Sequence, residues 1–186
     1  APFAAATRAV GRRLHPALRI SLGVLIRQRR AETIGKLLFA GCIVLGVLLM
    51  MDAWDYDKRA LPATIIGDAV IALSFSGLYR GLQTAHDDAA PFAAALPLRR
   101  FWSVGFDMAA VTALGLPFFA TLAGAMLLHE AAQVRIVLGG LVSAVALLAV
   151  LRQQQLYNER HAVVLNLMAG VSWCILTFLF LIVVFN

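Results

Sequence analysis

The side chains that could do chemistry in this chain are few, and their spacing limits what they can do. His129-Glu130-Ala131-Ala132-Gln133 stops one ligand short of a zinc-binding HExxH helix, because glutamine stands where the second histidine belongs. His15, His86 and His161 lack ligand spacing of their own. Ser76 offers a hydroxyl inside an apolar run, yet no histidine follows in a later apolar stretch to act as its base. Cys42 and Cys174 give neither a disulfide framework nor a metal spacing, and read as small thiols in helix packing. A Walker A sequence is absent, so any ATP would be hydrolysed by a different chain. The residues predict no enzyme, no cofactor and no metal.

What remains is a set of polar groups in apolar surroundings. Asp68, Asp107 and Asn166 sit inside long apolar stretches, where ionisable residues are rare and informative. Asp68 lies about two turns into its stretch from one end and Asp107 about one turn into the next from the other, so their depths differ too much for a carboxylate pair. A proton relay is one reading of either. The favoured one is an interfacial carboxylate paired with an arginine or hydrogen-bonded to a neighbouring helix. For Asp107 that predicts Arg99, Arg100 or a basic residue of a partner, in a structural role.

The elements that must hold these groups are membrane spans. Five stretches, roughly 37–54, 61–79, 103–128, 134–151 and 162–185, meet or approach the length needed to cross a bilayer. The chain is 61% hydrophobic and 14% charged, where soluble domains run about 45–50% and about 25%. The runs are continuous rather than alternating, so helices are expected and not a barrel. The fold class is therefore all-α: a polytopic transmembrane bundle of about five spans over residues 34–186, preceded by a segment, 1–33, with an amphipathic helix. Small residues recur every four positions at Gly105, Ala109 and Ala113, at Gly140 and Ala144, and, with polar members, at Asn166, Gly170 and Cys174. Such stripes let helices approach closely. Pro117 should kink the third span or end its regular ladder.

The net charge of +6 would suit nucleic acid, but its placement points to a membrane instead. With the N-terminus inside, thirteen of the sixteen lysines and arginines fall on inside segments; only Lys58, Arg59 and Arg135 fall outside. That bias predicts an N-in, C-out topology, with lipid and not nucleic acid as its surroundings; the membrane expected is a bacterial inner membrane. Trp54, Tyr56, Tyr79, Trp102 and Tyr157 are expected at headgroup level. The start APFAAATRAVGRR lacks Met and the n-region, h-region and cleavage-site order of a signal peptide, and reads as a processed or trimmed product. In residues 8–30, Leu14, Leu18, Leu22, Leu25 and Ile26 recur at helical spacing opposite five arginines, predicting a helix along the inner surface. Between the second and third spans lies the longest joint, Arg80–Arg100. There His86-Asp87-Asp88 is expected to open a short helix that stops before Pro97.

This layout resembles the type-2 ABC exporter permeases. The resemblance rests on Gly77-Leu78-Tyr79-Arg80 closing the second span, the acidic helix and Ala95-Leu96-Pro97-Leu98-Arg99-Arg100 after it, and Gly115-Leu116-Pro117 in the third span. It covers about residues 14–128. Such permeases have six spans where this sequence shows five. The resemblance implies a membrane subunit of an exporter, with an N-terminal elbow helix, a separate soluble ATPase partner, and a second membrane subunit or a homodimer. It also implies that Asp87, Asp88, Phe92, Leu96, Pro97 and Leu98 form the element that couples to the ATPase. The alternative class is a structural or assembly subunit of a larger membrane complex, with a membrane-embedded enzyme behind it.

Overall fold

The computed structural model describes residues 16–57, 59–93, 102–157 and 161–185. Within them the chain is helical throughout its regular structure: α1 (Pro16–Gly23), a π-helical turn (Val24–Gln28), α2 (Arg30–Ala53), α3 (Ala60–Ala93), α4 (Trp102–Leu128), α5 (Val134–Tyr157) and α6 (Ala162–Phe185). Five of these helices, α2 to α6, are long and apolar enough to cross a membrane. The expected all-α bundle of spans is the architecture found. Consecutive spans run in opposite directions, so one end of the bundle carries Arg29, Arg30, Arg80 and Arg152 and the other Asp52, Asp55, Asp57 and Glu130. We call these the basic and acidic ends.

The central helix is α3, which packs against α2, α4, α5 and α6. Some 61% of its apolar window is buried, against 17–28% in the other four. Phe75, Ile71 and Leu78 of α3 meet Phe119 and Leu122 of α4 and Leu147 and Leu148 of α5 in a closed core. The outer helices turn their largest apolar side chains outward instead: Leu38, Leu45 and Leu49 on α2, and Val163, Leu167, Val171 and Val183 on α6, are exposed. Exposed apolar surface on this scale has no place in water. It is the lipid-facing surface of a membrane protein.

The Asn166–Gly170–Cys174 stripe packs as expected. A Cβ at Gly170 would lie 3.0 Å from Leu73 Cδ1, so glycine is what permits this approach of α6 to α3. Ala144 is likewise buried. Gly105, Ala109 and Ala113, however, face outward, and Cys42 is exposed rather than packed. The row on α4 is not an internal contact.

The sequence expectations need four further corrections. The second span does not end at Tyr79. α3 continues to Ala93, through Pro91 in its last turn. No proline interrupts residues 80–90, Arg80, Leu82, Gln83, Ala85, Ala89 and Ala90 favour helix, and the Thr84 hydroxyl donates to the Arg80 carbonyl at 3.0 Å. His86, Asp87 and Asp88 therefore ride on this helix instead of opening a new one. Tyr79, accordingly, is not a headgroup anchor: its ring is buried, 6.0 Å beneath the Arg152 guanidinium. α4 runs through Pro117 without ending, and the Pro117 carbonyl accepts the Thr121 hydroxyl at 2.7 Å. Finally, Ile26 is exposed, not part of the buried face of the N-terminal helix. The buried stripe centres on Ser21 and Leu25, one turn apart, and Ile26 lies about 100° further round.

At the acidic end the two short turns meet. The Tyr56 and His129 rings stack with centroids 3.6 Å apart and planes 8° from parallel. Asp55, Tyr56 and Glu130 take positive φ there, 51°, 53° and 52°, a conformation that costs non-glycine residues of order 1 kcal/mol or more. His129 of the near-HExxH sequence is thus part of a stacked turn, and no group of metal-ligating side chains occurs among the described residues.

Candidate functional site, a buried carboxylate clamp at the basic end

The N-terminal helix is joined to the bundle by a hydrogen-bonded bend. The π-turn places the Arg29 N–H on the Val24 carbonyl at 3.1 Å. The buried Thr33 hydroxyl donates to the Leu25 carbonyl at 2.9 Å, satisfying an acceptor that the end of a helix would otherwise leave open. The bend lays α1 against α4. This brings Ser21, fully buried, to the first turns of α4, where its hydroxyl donates to Asp107 Oδ1 at 2.9 Å.

The projecting part of α3 supplies the other half of the site. His86 Nε2 lies 3.0 Å from the same Asp107 oxygen, and a proton on Nε2 makes it a donor to the carboxylate. Asp107 is only 4% exposed. One carboxylate thus ties three elements together: α1, the basic end of α3, and α4. Tyr79 and Arg152 lie close by on α3 and α5.

The order of these groups limits their chemistry. In a nucleophilic triad the base touches the nucleophile and the carboxylate orients the base. Here the carboxylate stands in the middle, and the serine hydroxyl is committed to it. The arrangement cross-links elements; it does not activate Ser21. Arg99 and Arg100, the expected partners of Asp107, lie outside the described residues, and the pairing found is with Ser21 and His86.

The other predicted residues are dispersed. Asp68 is buried in the acidic-end half of α3, and its Oδ1 has no hydrogen-bond partner among the described residues. It lines a cavity of about 20 Å³ with Thr64, Met126 and Val137, room for about one water. Asn166 is buried near the start of α6, its Oδ1 also unpartnered among the described residues. Asp87 and Asp88 are exposed on α3. Phe92 belongs to the same helix, and Leu96, Pro97 and Leu98 lie outside the described residues. Sequence reasoning missed Ser21 and the pairing of His86. The signal for Ser21 was its position, a hydroxyl one turn from Leu25 at the centre of an otherwise apolar stripe.

Comparison with protein families, with curated proteins and with solved structures finds no match to this chain.

Proposed function

We propose that this chain is the membrane-spanning subunit of an ABC-type exporter of a bacterial inner membrane, with its basic end in the cytoplasm. The observation that carries the reading is the length of α3. Its 34 residues extend about 51 Å at 1.5 Å per residue, while the hydrocarbon core is about 30 Å thick. Roughly 20 Å of rigid helix therefore projects at the basic end, bearing exposed Asp87 and Asp88. Continuous helix transmits displacement better than a loop. In this reading Asp87, Asp88, Phe92, Leu96, Pro97 and Leu98 engage a separate ATPase, and α3 carries its movement into the centre of the bundle.

The clamp fits the same reading. Asp107 holds α1 and α4 to α3 through Ser21 and His86, so a push on the projection moves all three together. The Gly105–Ala109–Ala113 row faces outward on α4 and suits close packing of a second membrane subunit. That row equally favours a second reading, a structural subunit of a larger membrane complex with no ATPase of its own.

Crosslinking separates the two. A photo-activatable residue in place of Asp88, introduced in native membranes, is expected to capture a soluble ATP-hydrolysing chain. Capture of membrane proteins alone would favour the assembly subunit and end the exporter reading. Thiol labelling of Asp87→Cys and Glu130→Cys should mark opposite faces, Asp87 from the cytoplasm.

A further inference from the structure

A second polar feature lies apart from the clamp, in a groove between α2, α3 and α6. The groove encloses about 270 Å³ and is lined by Lys36, Leu73, Ser74, Ser76, Gly77, Asn166 and their apolar neighbours Val163 and Leu167. Lys36 reaches into it across the surface of α3, donating to the Ser74 carbonyl at 2.9 Å. It can do so because residue 77 is glycine: a Cβ there would collide with the Lys36 ammonium. Glu32 lies 3.4 Å from the same nitrogen and is shared with Arg29 at 3.7 Å, so the group keeps one net positive charge. An ammonium has three N–H donors. Ser74 and Glu32 take two.

The groove wants a ligand of particular chemistry. The remaining Lys36 donor and the net charge call for an anionic oxygen. The buried Asn166 Oδ1, which no described residue satisfies, calls for an O–H or N–H on the same ligand. The position selects further. Lys36 is six residues from the start of α2 and Asn166 four from the start of α6, hence about 9 Å and about 6 Å from the basic end. The groove opens sideways beside Val163 and Leu167, which are 81% and 58% exposed, so a molecule seated there continues along lipid-facing apolar surface. Basic pockets between spans at this level accept lipid headgroups.

We propose that this groove is a binding site for an anionic phospholipid of the bilayer, its phosphodiester on Lys36 and a headgroup hydroxyl on Asn166. The occupant is a lipid and not a free anion, because the groove opens to the acyl-chain surface.

The purified protein, offered equal amounts of phosphatidylglycerol and phosphatidylcholine with matched chains, tests this by native mass spectrometry of the lipid retained. The wild type should retain phosphatidylglycerol several-fold over phosphatidylcholine. Lys36→Gln should bring the ratio to about one. Gly77→Ala provides a variant that keeps the fold, since the displaced atoms are the end of a flexible side chain; it should lower the ratio while circular dichroism and gel-filtration profile stay unchanged. Asn166→Leu should equalise phosphatidylglycerol with phosphatidic acid of the same chains. A wild-type ratio near one would overturn the proposal, as would ratios unmoved by both Lys36→Gln and Gly77→Ala. Loss of the preference in excess inorganic phosphate would assign the groove to soluble anions and overturn the lipid assignment.

Discussion

Asp107 and Asp68 are buried to nearly the same degree, 4% and 5% exposed, in opposite halves of the same bundle, and the chain treats them differently. Asp107 receives the Ser21 hydroxyl and faces His86 from two other elements. Among the described residues Asp68 Oδ1 has no hydrogen-bond partner, and a cavity of about 20 Å³ lies beside it. A buried polar group without a partner costs about 1–3 kcal/mol, and a partnered one contributes modestly. The difference teaches which carboxylate builds the fold. Asp107 holds elements together, whereas Asp68 weakens the bundle unless water or a proton completes it.

Substitutions should widen this contrast at one site and leave it flat at the other. Asp107→Leu removes the acceptor shared by Ser21 and His86 and strands a fully buried hydroxyl; we expect a loss of about 2–3 kcal/mol in reversible unfolding in detergent. Its accompanying sign should be thiol reactivity of a Ser21→Cys reporter, protected when Asp107 is present and open when it is leucine. Asp107→Asn keeps an acceptor oxygen but loses charge assistance, so about 1–2 kcal/mol is expected by the same unfolding assay.

Smaller effects belong to the partners. Ser21→Ala removes one hydrogen bond and leaves Asp107 with His86, for a loss of about 1 kcal/mol, within the range measured between membrane helices. Asp68→Asn should change stability by less than about 0.5 kcal/mol or raise it, because no partner is lost. A destabilisation of Asp68→Asn equal to that of Asp107→Asn would erase the contrast. If instead Asp68→Asn unfolds normally but abolishes the export proposed above, Asp68 carries a proton in that proposed mechanism.

The architecture was legible because the bilayer leaves few choices: continuous apolar runs of spanning length, joined by short polar turns, admit little besides a helical bundle. Asp107 stood out for the same reason, a charge where charges are scarce. Its partners did not. Ser21 sits among arginines and leucines in a helix whose burial depends on the bend at Arg29, and that bend comes from a π-turn no hydrophobic period reports. His86 follows 26 residues after the start of α3, beyond a bilayer's thickness. Its neighbours Asp87 and Asp88 suggested a helix beginning when the helix was in fact continuing. The stripe Gly105–Ala109–Ala113 has the spacing of an internal contact, and only its exposure in the packed bundle shows that it faces outward.

The clamp itself is tested most directly by a double-mutant cycle on Ser21→Ala and Asp107→Leu, each of which removes the shared hydrogen bond, read by reversible unfolding in one detergent. Two residues that share a buried hydrogen bond should be coupled by about 0.5–2 kcal/mol, so the double variant should lose less than the two single variants together. Strict additivity, within about 0.3 kcal/mol, would mean that Ser21 and Asp107 do not act on each other and that Asp107 does not hold α1 to the bundle.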